Sequence, residues 1–192
     1  QIYTGSGLEP IVTVKDGTKT LENGTDYTVS YSNNVNVGTA TVTITGKGNY
    51  SGTKSITFAI VVKSISGATV SSISNQTYTG SAITPTVTVK DGSATLVNGT
   101  DYTVSYSNNV NVGTATVTIT GKGNYGGTKT TTFIIVSKNI NEATVPSIGN
   151  QTYTGSGLTP SVTVKDGSTT LVNGTDYTLS YSNNVNVGTA TV

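Results

Sequence analysis

The sequence predicts an all-β protein in which a small antiparallel β-sandwich recurs along the chain. Three features carry this prediction: a block of twenty residues that occurs three times, alternation of apolar and hydroxyl residues inside it, and segments rich in Asn and Gly between the alternating runs. The block covers residues 23–42, 98–117 and 173–192, and its third copy differs from the others only at Leu179. The chain is therefore an array of repeats.

The second copy of the block shows the strand pattern. From Tyr102 to Tyr106 and from Thr114 to Thr120, apolar or aromatic residues alternate with Ser and Thr. Successive side chains of a strand leave it on opposite faces, so this pattern predicts two half-buried strands. Residues 107–113 supply the Asn and Gly that a connection between them requires. The residues expected to face a core are Tyr102, Val104, Tyr106, Ala115, Val117 and Ile119.

A longer period surrounds the block. The motif Gln-x-Tyr-Thr-Gly begins at residues 1, 76 and 151, which sets the period at 75 residues. Within each period the pattern predicts about seven strands and almost no helix, as in an Ig-like antiparallel sandwich. Outside the block, strands are predicted at 68–73, 76–79, 86–90, 95–97 and 130–136.

Polar segments at 63–67 and 138–142, where the alternation lapses, are predicted to be the seams between repeats. The first repeat then covers 1–67 and lacks its opening strand, the second covers 68–142 and is complete, and the third covers 143–192 and lacks its closing strands. Because the alternating strand is interrupted at residue 192, we expect these residues to be a window of a longer array.

The composition excludes several classes of function. The chain has no Cys and no His, which removes disulfides, zinc–thiolate sites and nucleophiles activated by His. Its ten basic residues are all Lys and its net charge is +1, so the sequence predicts no nucleic-acid surface. No apolar run is long enough to span a membrane, and no motif calls for a cofactor.

Several runs recur at fixed spacing: YTG, VTVKDG, NGTDYTVSYSNN and GTATVTITGKGNY. Together they resemble the tandem Ig-like repeats of long surface proteins of Gram-positive bacteria, over the whole of each period. The resemblance implies an extracellular or cell-surface location and a role as a stalk or fibre that carries functional domains elsewhere in the chain.

Carboxylates are the remaining candidates for chemistry. Asp91 and Asp101 recur as Asp16 and Asp26 in the first repeat. Asp91 lies in an Asp-Gly turn and Asp101 follows Asn98-Gly99, where Asp commonly accepts backbone hydrogen bonds, so a structural role is expected for all four. No loop has the density of acidic residues that a calcium site requires. We expect neither a catalytic residue nor a metal ligand among them.

An aromatic residue beside a lysine is the candidate for ligand contact. Tyr125 and Lys122, with their counterparts Tyr50 and Lys47, could present a ring and a cation to glycan at low affinity, which repetition would strengthen. The alternative is that each tyrosine only closes a turn against the sandwich edge.

Three functions remain open from the sequence. The first is a non-enzymatic structural spacer whose partners are the neighbouring repeats. The second is a multivalent adhesin module that binds glycan or a host surface. The third is a filament subunit that associates with copies of itself, because incomplete end repeats would expose unpaired strand edges.

Overall fold

The structure, a computed structural model, describes all 192 residues and is essentially all-β. Its two helical segments are single 3₁₀ turns of three residues each, Ile65–Gly67 and Ile140–Glu142. Neither turn has the length or apolar character to cross a membrane. The chain divides into two compact units, residues 1–136 and 137–192. The all-β class expected from the sequence is confirmed.

The first repeat contains a hairpin and a three-stranded sheet. The sheet is antiparallel in the order β3-β4-β5, and Ile2 adds a parallel bridge to Val61 just beyond its edge strand. The strands of this repeat are β1 Lys15–Asp16, β2 Lys19–Thr20, β3 Tyr27–Ser32, β4 Gly38–Gly46 and β5 Thr53–Ile60.

The second repeat contains a four-stranded sheet and a three-stranded sheet. The strands from the first seam onward are β6 Lys63–Ser64, β7 Thr69–Val70, β8 Gln76–Thr77, β9 Val89–Asp91, β10 Ala94–Thr95, β11 Tyr102–Ser107, β12 Gly113–Gly121, β13 Tyr125–Gly126 and β14 Thr128–Val136. One sheet has the order β11-β12-β14-β8, with only β8 parallel to its neighbour, and the other is antiparallel in the order β10-β9-β7. The remaining pair, β6 and β13, joins the seam to this repeat.

The main hydrophobic core lies in the second repeat and includes side chains from both its four-stranded and its three-stranded sheet. Val89 of β9 and Ile135 of β14 are fully buried in one cluster. The alternation predicted for the block is confirmed, because Tyr102, Ala115, Val117 and Ile119 are buried and Val104 and Tyr106 pack half-buried against the same cluster.

The strand predicted at 86–90 is shorter than expected, since only Val89–Asp91 joins a ladder. In the segment before it, backbone carbonyl oxygens accept hydrogen bonds from tyrosine hydroxyls. Tyr106 donates to the carbonyl oxygen of Pro85 at 2.6 Å, and Tyr102 approaches that of Val87 at 3.5 Å. Equivalent bonds recur in the first and third repeats. Residues 86–88 are therefore held by side-chain hydrogen bonds, whereas the alternation of the sequence predicted a backbone ladder there.

The unit of residues 137–192 has fewer ladders. It contains the hairpin β15 Lys165–Asp166 and β16 Thr169–Thr170. A bridge from Thr144 to Lys165 precedes it, and a single bridge from Ser182 to Thr191 stands where β11 and β12 pair in the second repeat. Val164 is its one buried apolar side chain.

Candidate functional site

At the junction between the first two repeats, a backbone ladder, an ion pair and an aromatic contact lie close together. We define it as residues 61–67, which include the predicted seam 63–67, together with the residues that they contact. β6 of the seam pairs in parallel with β13 of the second repeat, and the Lys63 amide donates to the carbonyl oxygen of Asn124 at 3.0 Å. This short ladder holds Lys63 and Ser64 in register with Tyr125 and Gly126.

Ile65 anchors the seam. Its side chain is only 1% exposed and belongs to the core cluster of the second repeat. The 3₁₀ turn that carries it is capped by Ser64, whose hydroxyl accepts from the Ser66 amide, and Lys129 Nζ donates to the Ser66 carbonyl at 3.0 Å. The sequence suggested a polar connection here, but this segment packs into the second repeat because Ile65 lies between its serines.

An ion pair and two tyrosines lie beside this ladder. Lys63 Nζ is 2.6 Å from Asp91 Oδ2, and the Tyr125 hydroxyl donates to the same oxygen at 3.2 Å. The ring of Tyr3, from the first repeat, meets the Tyr125 ring edge-on with centroids 5.6 Å apart. One carboxylate therefore ties together the seam and the second repeat, and the ring contact adds the start of the first repeat.

Tyr125 is buried by these contacts. Its side chain is 7% exposed. Burial, followed by the hydrogen bond to Asp91 and the charge of Asp91, raises the pKa of Tyr125 to about 12. A phenolate here would lack solvation and face an anion, so the hydroxyl remains a donor across the neutral pH range.

The loop between β3 and β4 makes a second contact. The Val37 amide donates to Asn124 Oδ1 at 2.9 Å, and Asn124 Nδ2 donates to Asn36 Oδ1 at 3.0 Å. The backbone carbonyl of Asn124 already accepts from Lys63. Asn124 thus bonds to the first repeat at two separated places, which opposes rotation about the seam.

At Gly126 the backbone of the second repeat lies directly against the side chain of Val62. A Cβ atom placed there would lie 2.8 Å from Cγ2 of Val62. The equivalent position in the first repeat is Ser51, which is exposed. Since valine is stiff at its branched carbon, a side chain at 126 would displace the seam.

The ion pair recurs one period later. In the unit 137–192, Lys138 Nζ lies 2.6 Å from Asp166 Oδ1 and 4.0 Å from Glu142 Oε2. The hydrogen bond to Asp166 raises the pKa of Lys138. Lys138 and Asp166 stand 75 residues after Lys63 and Asp91, so the same seam lysine meets the same turn aspartate in both units.

Of the residues predicted to contact glycan, the two lysines are exposed, whereas one tyrosine is buried and the other is half-buried. Tyr125 is buried in the junction, where it has little surface to offer a sugar, and Lys122 Nζ donates to the Gly99 carbonyl at 2.6 Å. Tyr50 is half-buried, with its hydroxyl 3.4 Å from Asp16 Oδ2, and Lys47 bonds to a backbone carbonyl as Lys122 does. Glycan binding itself stays a prediction.

The four aspartates take two kinds of position. Asp101 Oδ2 accepts from the Val97 amide at 2.8 Å, and Asp26 Oδ2 accepts from the Glu22 amide at 3.0 Å. Asp16 faces Tyr50 as Asp91 faces Tyr125. These contacts are turn closure and hydrogen bonding, and no group of three acidic side chains is placed to hold a metal ion.

Comparison of the chain with protein-family models, with curated proteins and with solved structures finds no match. The repeats and the junction between them therefore carry the evidence for function.

Sequence reasoning missed the junction residues Lys63, Asn124 and Gly126. Two signals were present. Lys63 and Lys138 recur at the period of the repeat inside otherwise polar seams, and Ser51 and Gly126 differ between nearly identical copies. Neither signal predicts which residue is contacted, because the contact partner lies on the neighbouring repeat.

Proposed function

We propose that this chain is a structural spacer in an extracellular bacterial surface protein, and that it has no reactive centre. The observation that carries the proposal is the junction, in which a backbone ladder, an ion pair and an aromatic contact join consecutive repeats. A spacer must keep its length, and a seam attached at several points resists bending. The extracellular location rests on the resemblance of the repeats to Gram-positive surface proteins.

We further infer that each complete repeat is an Ig-like sandwich. The inference is supported by the second repeat, where side chains of the sheets β11-β12-β14-β8 and β10-β9-β7 share one core. Repeats of this size bury limited area alone, and the interface between neighbours adds to their stability.

The order of the strands also suits a protein under tension. β8 lies near the start of the second repeat and β14 lies near its end, and the two run side by side in parallel with Thr77 opposite Val136. In the first repeat, the Tyr3 amide donates to the Val61 carbonyl at 3.0 Å, and the Val61 amide donates to the Gln1 carbonyl at 2.9 Å. When parallel neighbours are pulled at opposite ends, their hydrogen bonds are loaded together and break together.

Single-molecule pulling on the protein from both ends tests the spacer function. We expect discrete unfolding steps from the two repeats in residues 1–136. The chain has no cysteine of its own, so a single disulfide can be introduced as a matched control. The double substitution Thr77→Cys and Val136→Cys should form it, because paired residues on neighbouring strands lie within disulfide distance. The disulfide should shorten one step by roughly 200 Å at about 3.6 Å per residue, and reduction should restore it. Smooth extension without steps would contradict the spacer function.

A further inference from the structure

The composition of the chain makes tyrosine its most readily oxidised side chain. Cysteine, methionine, tryptophan and histidine are absent, whereas the chain has 11 tyrosines. Cysteine and methionine are the residues that oxidants commonly consume first, because their sulfur is readily oxidised. In this chain a one-electron oxidant therefore acts on phenol rings and converts them to phenoxyl radicals.

Two of these phenol rings pack together across the junction. The ring centroids of Tyr3 and Tyr125 are 5.6 Å apart, and the ring planes meet at 78°. The backbone fixes both residues, since the Tyr3 amide donates to the Val61 carbonyl at 3.0 Å and Tyr125 lies in β13, which pairs with β6. Tyr3 is half-buried, so its ring has room to turn towards its neighbour.

The surroundings of the two rings suit them to different steps of an oxidation. Tyr3 reaches solvent and can give an electron to an oxidant there, whereas Tyr125 is 7% exposed and gives its electron through Tyr3. A phenol that loses an electron must also release its hydroxyl proton. The Tyr125 hydroxyl already donates to Asp91 Oδ2 at 3.2 Å, so this carboxylate is placed to accept the proton.

We propose that Tyr3 and Tyr125 form a site of oxidative crosslinking, at which a haem peroxidase using hydrogen peroxide joins the two rings as dityrosine. Each phenol loses one electron and one proton, and the two radicals form a carbon–carbon bond between ring positions next to the hydroxyl groups. The hydrogens on these carbons then move to the oxygens, which restores both phenols. The protein loses two hydrogen atoms, and one hydrogen peroxide is reduced to two water molecules.

The bond would connect the first two repeats covalently. It closes a loop of residues 3–125, which holds nearly all of the first repeat and most of the second, so a load that enters at Tyr3 passes directly to Tyr125. In the pulling experiment described above, the crosslinked protein should extend less by roughly 440 Å, at about 3.6 Å per enclosed residue. This modification site goes beyond the spacer function, because it depends only on the contact between the rings.

The test treats the intact protein with a haem peroxidase and hydrogen peroxide, then denatures it and digests it with trypsin, which cleaves after lysine. Tyr3 lies in the fragment 1–15 and Tyr125 in the fragment 123–129. We expect these fragments to be joined, with a mass two hydrogen atoms below their sum and with dityrosine fluorescence. The joined fraction should not depend on protein concentration, because both rings belong to one chain. Free tyrosine in a parallel sample shows that the oxidant is active.

Two matched variants locate the bond. Tyr3→Phe keeps the ring and removes only its hydroxyl oxygen, so the joined fragments should be lost although the ring packing is retained. Tyr50→Phe changes the counterpart of Tyr125 in the first repeat and should leave the joined fragments unchanged. The proposal is overturned if the fragments stay separate while free tyrosine reacts, if other tyrosines are joined in place of Tyr3 and Tyr125, or if the bond forms only between two chains.

Discussion

At the scale of single residues, side-chain hydroxyls and carboxylates form hydrogen bonds to backbone groups that the β-ladders leave unpaired. Tyr106 holds the carbonyl of Pro85, and Asp101 closes the turn at Val97. Each bond recurs in all three repeats. A typical bond of this kind contributes about 1 kcal/mol to stability, so repetition matters more than any single contact.

Tyr125 gives the residue-scale prediction. Its pKa is raised from the ordinary 10.0 to about 12, first by burial and then by Asp91. Because the folded-state pKa lies above the unfolded one, the contribution of Tyr125 to stability is complete below pH 10 and is lost as the pH rises towards 12. Substituting Asp91→Asn removes the charge but leaves the burial, so the pKa should fall while remaining above 10.0.

NMR titration of tyrosine labelled with ¹³C at Cζ measures this pKa directly. The matched control is Asp16→Asn in the first repeat, which should leave the Tyr125 titration unchanged because Asp16 contacts Tyr50 instead. An unchanged Tyr125 pKa in Asp91→Asn would show that the charge of Asp91 does not lie beside the Tyr125 hydroxyl in solution.

At the scale of elements, the long strands were predictable and the short ones were not. β11, β12 and the core-facing residues of β14 follow from alternation in their own sequences. The segment before Val89 depends on partners far along the chain, including Ser71, whose hydroxyl accepts from the Thr88 amide at 3.0 Å. β6 was not expected, because its polar sequence indicates a connection and its pairing is set by the next repeat.

The seam gives the element-scale prediction. Gly126→Ser introduces into the second repeat the residue that the first repeat has at Ser51, and should press on Val62. Overpacking of this kind costs about 1–3 kcal/mol, so the Lys63 amide should exchange its hydrogen faster by about fivefold or more. The reciprocal change Ser51→Gly should leave Lys63 protected. Equal protection in both variants would mean that Val62 and Gly126 do not pack closely.

At the scale of the whole molecule, the 75-residue period and its all-β character were evident from the sequence. The junction could not be predicted. Lys63, Asn124 and Tyr3 lie outside the alternating runs, and each makes its contact with a residue of the neighbouring repeat. The predicted repeat boundaries at 67 and 142 stay predictions. The placement of Ile65 in the core of the second repeat shows that the first seam packs on the repeat that follows it.

The central claim is that the junction holds the first two repeats in one fixed arrangement. The most direct test is the distance between spin labels on Thr28→Cys and Thr103→Cys, two exposed and equivalent strand positions in a chain without other cysteines. We expect one narrow distance distribution in the wild-type background and a broader one when Asp91→Ala and Gly126→Ser weaken the junction together. A broad distribution in the wild-type background, unchanged by these substitutions, would contradict the account.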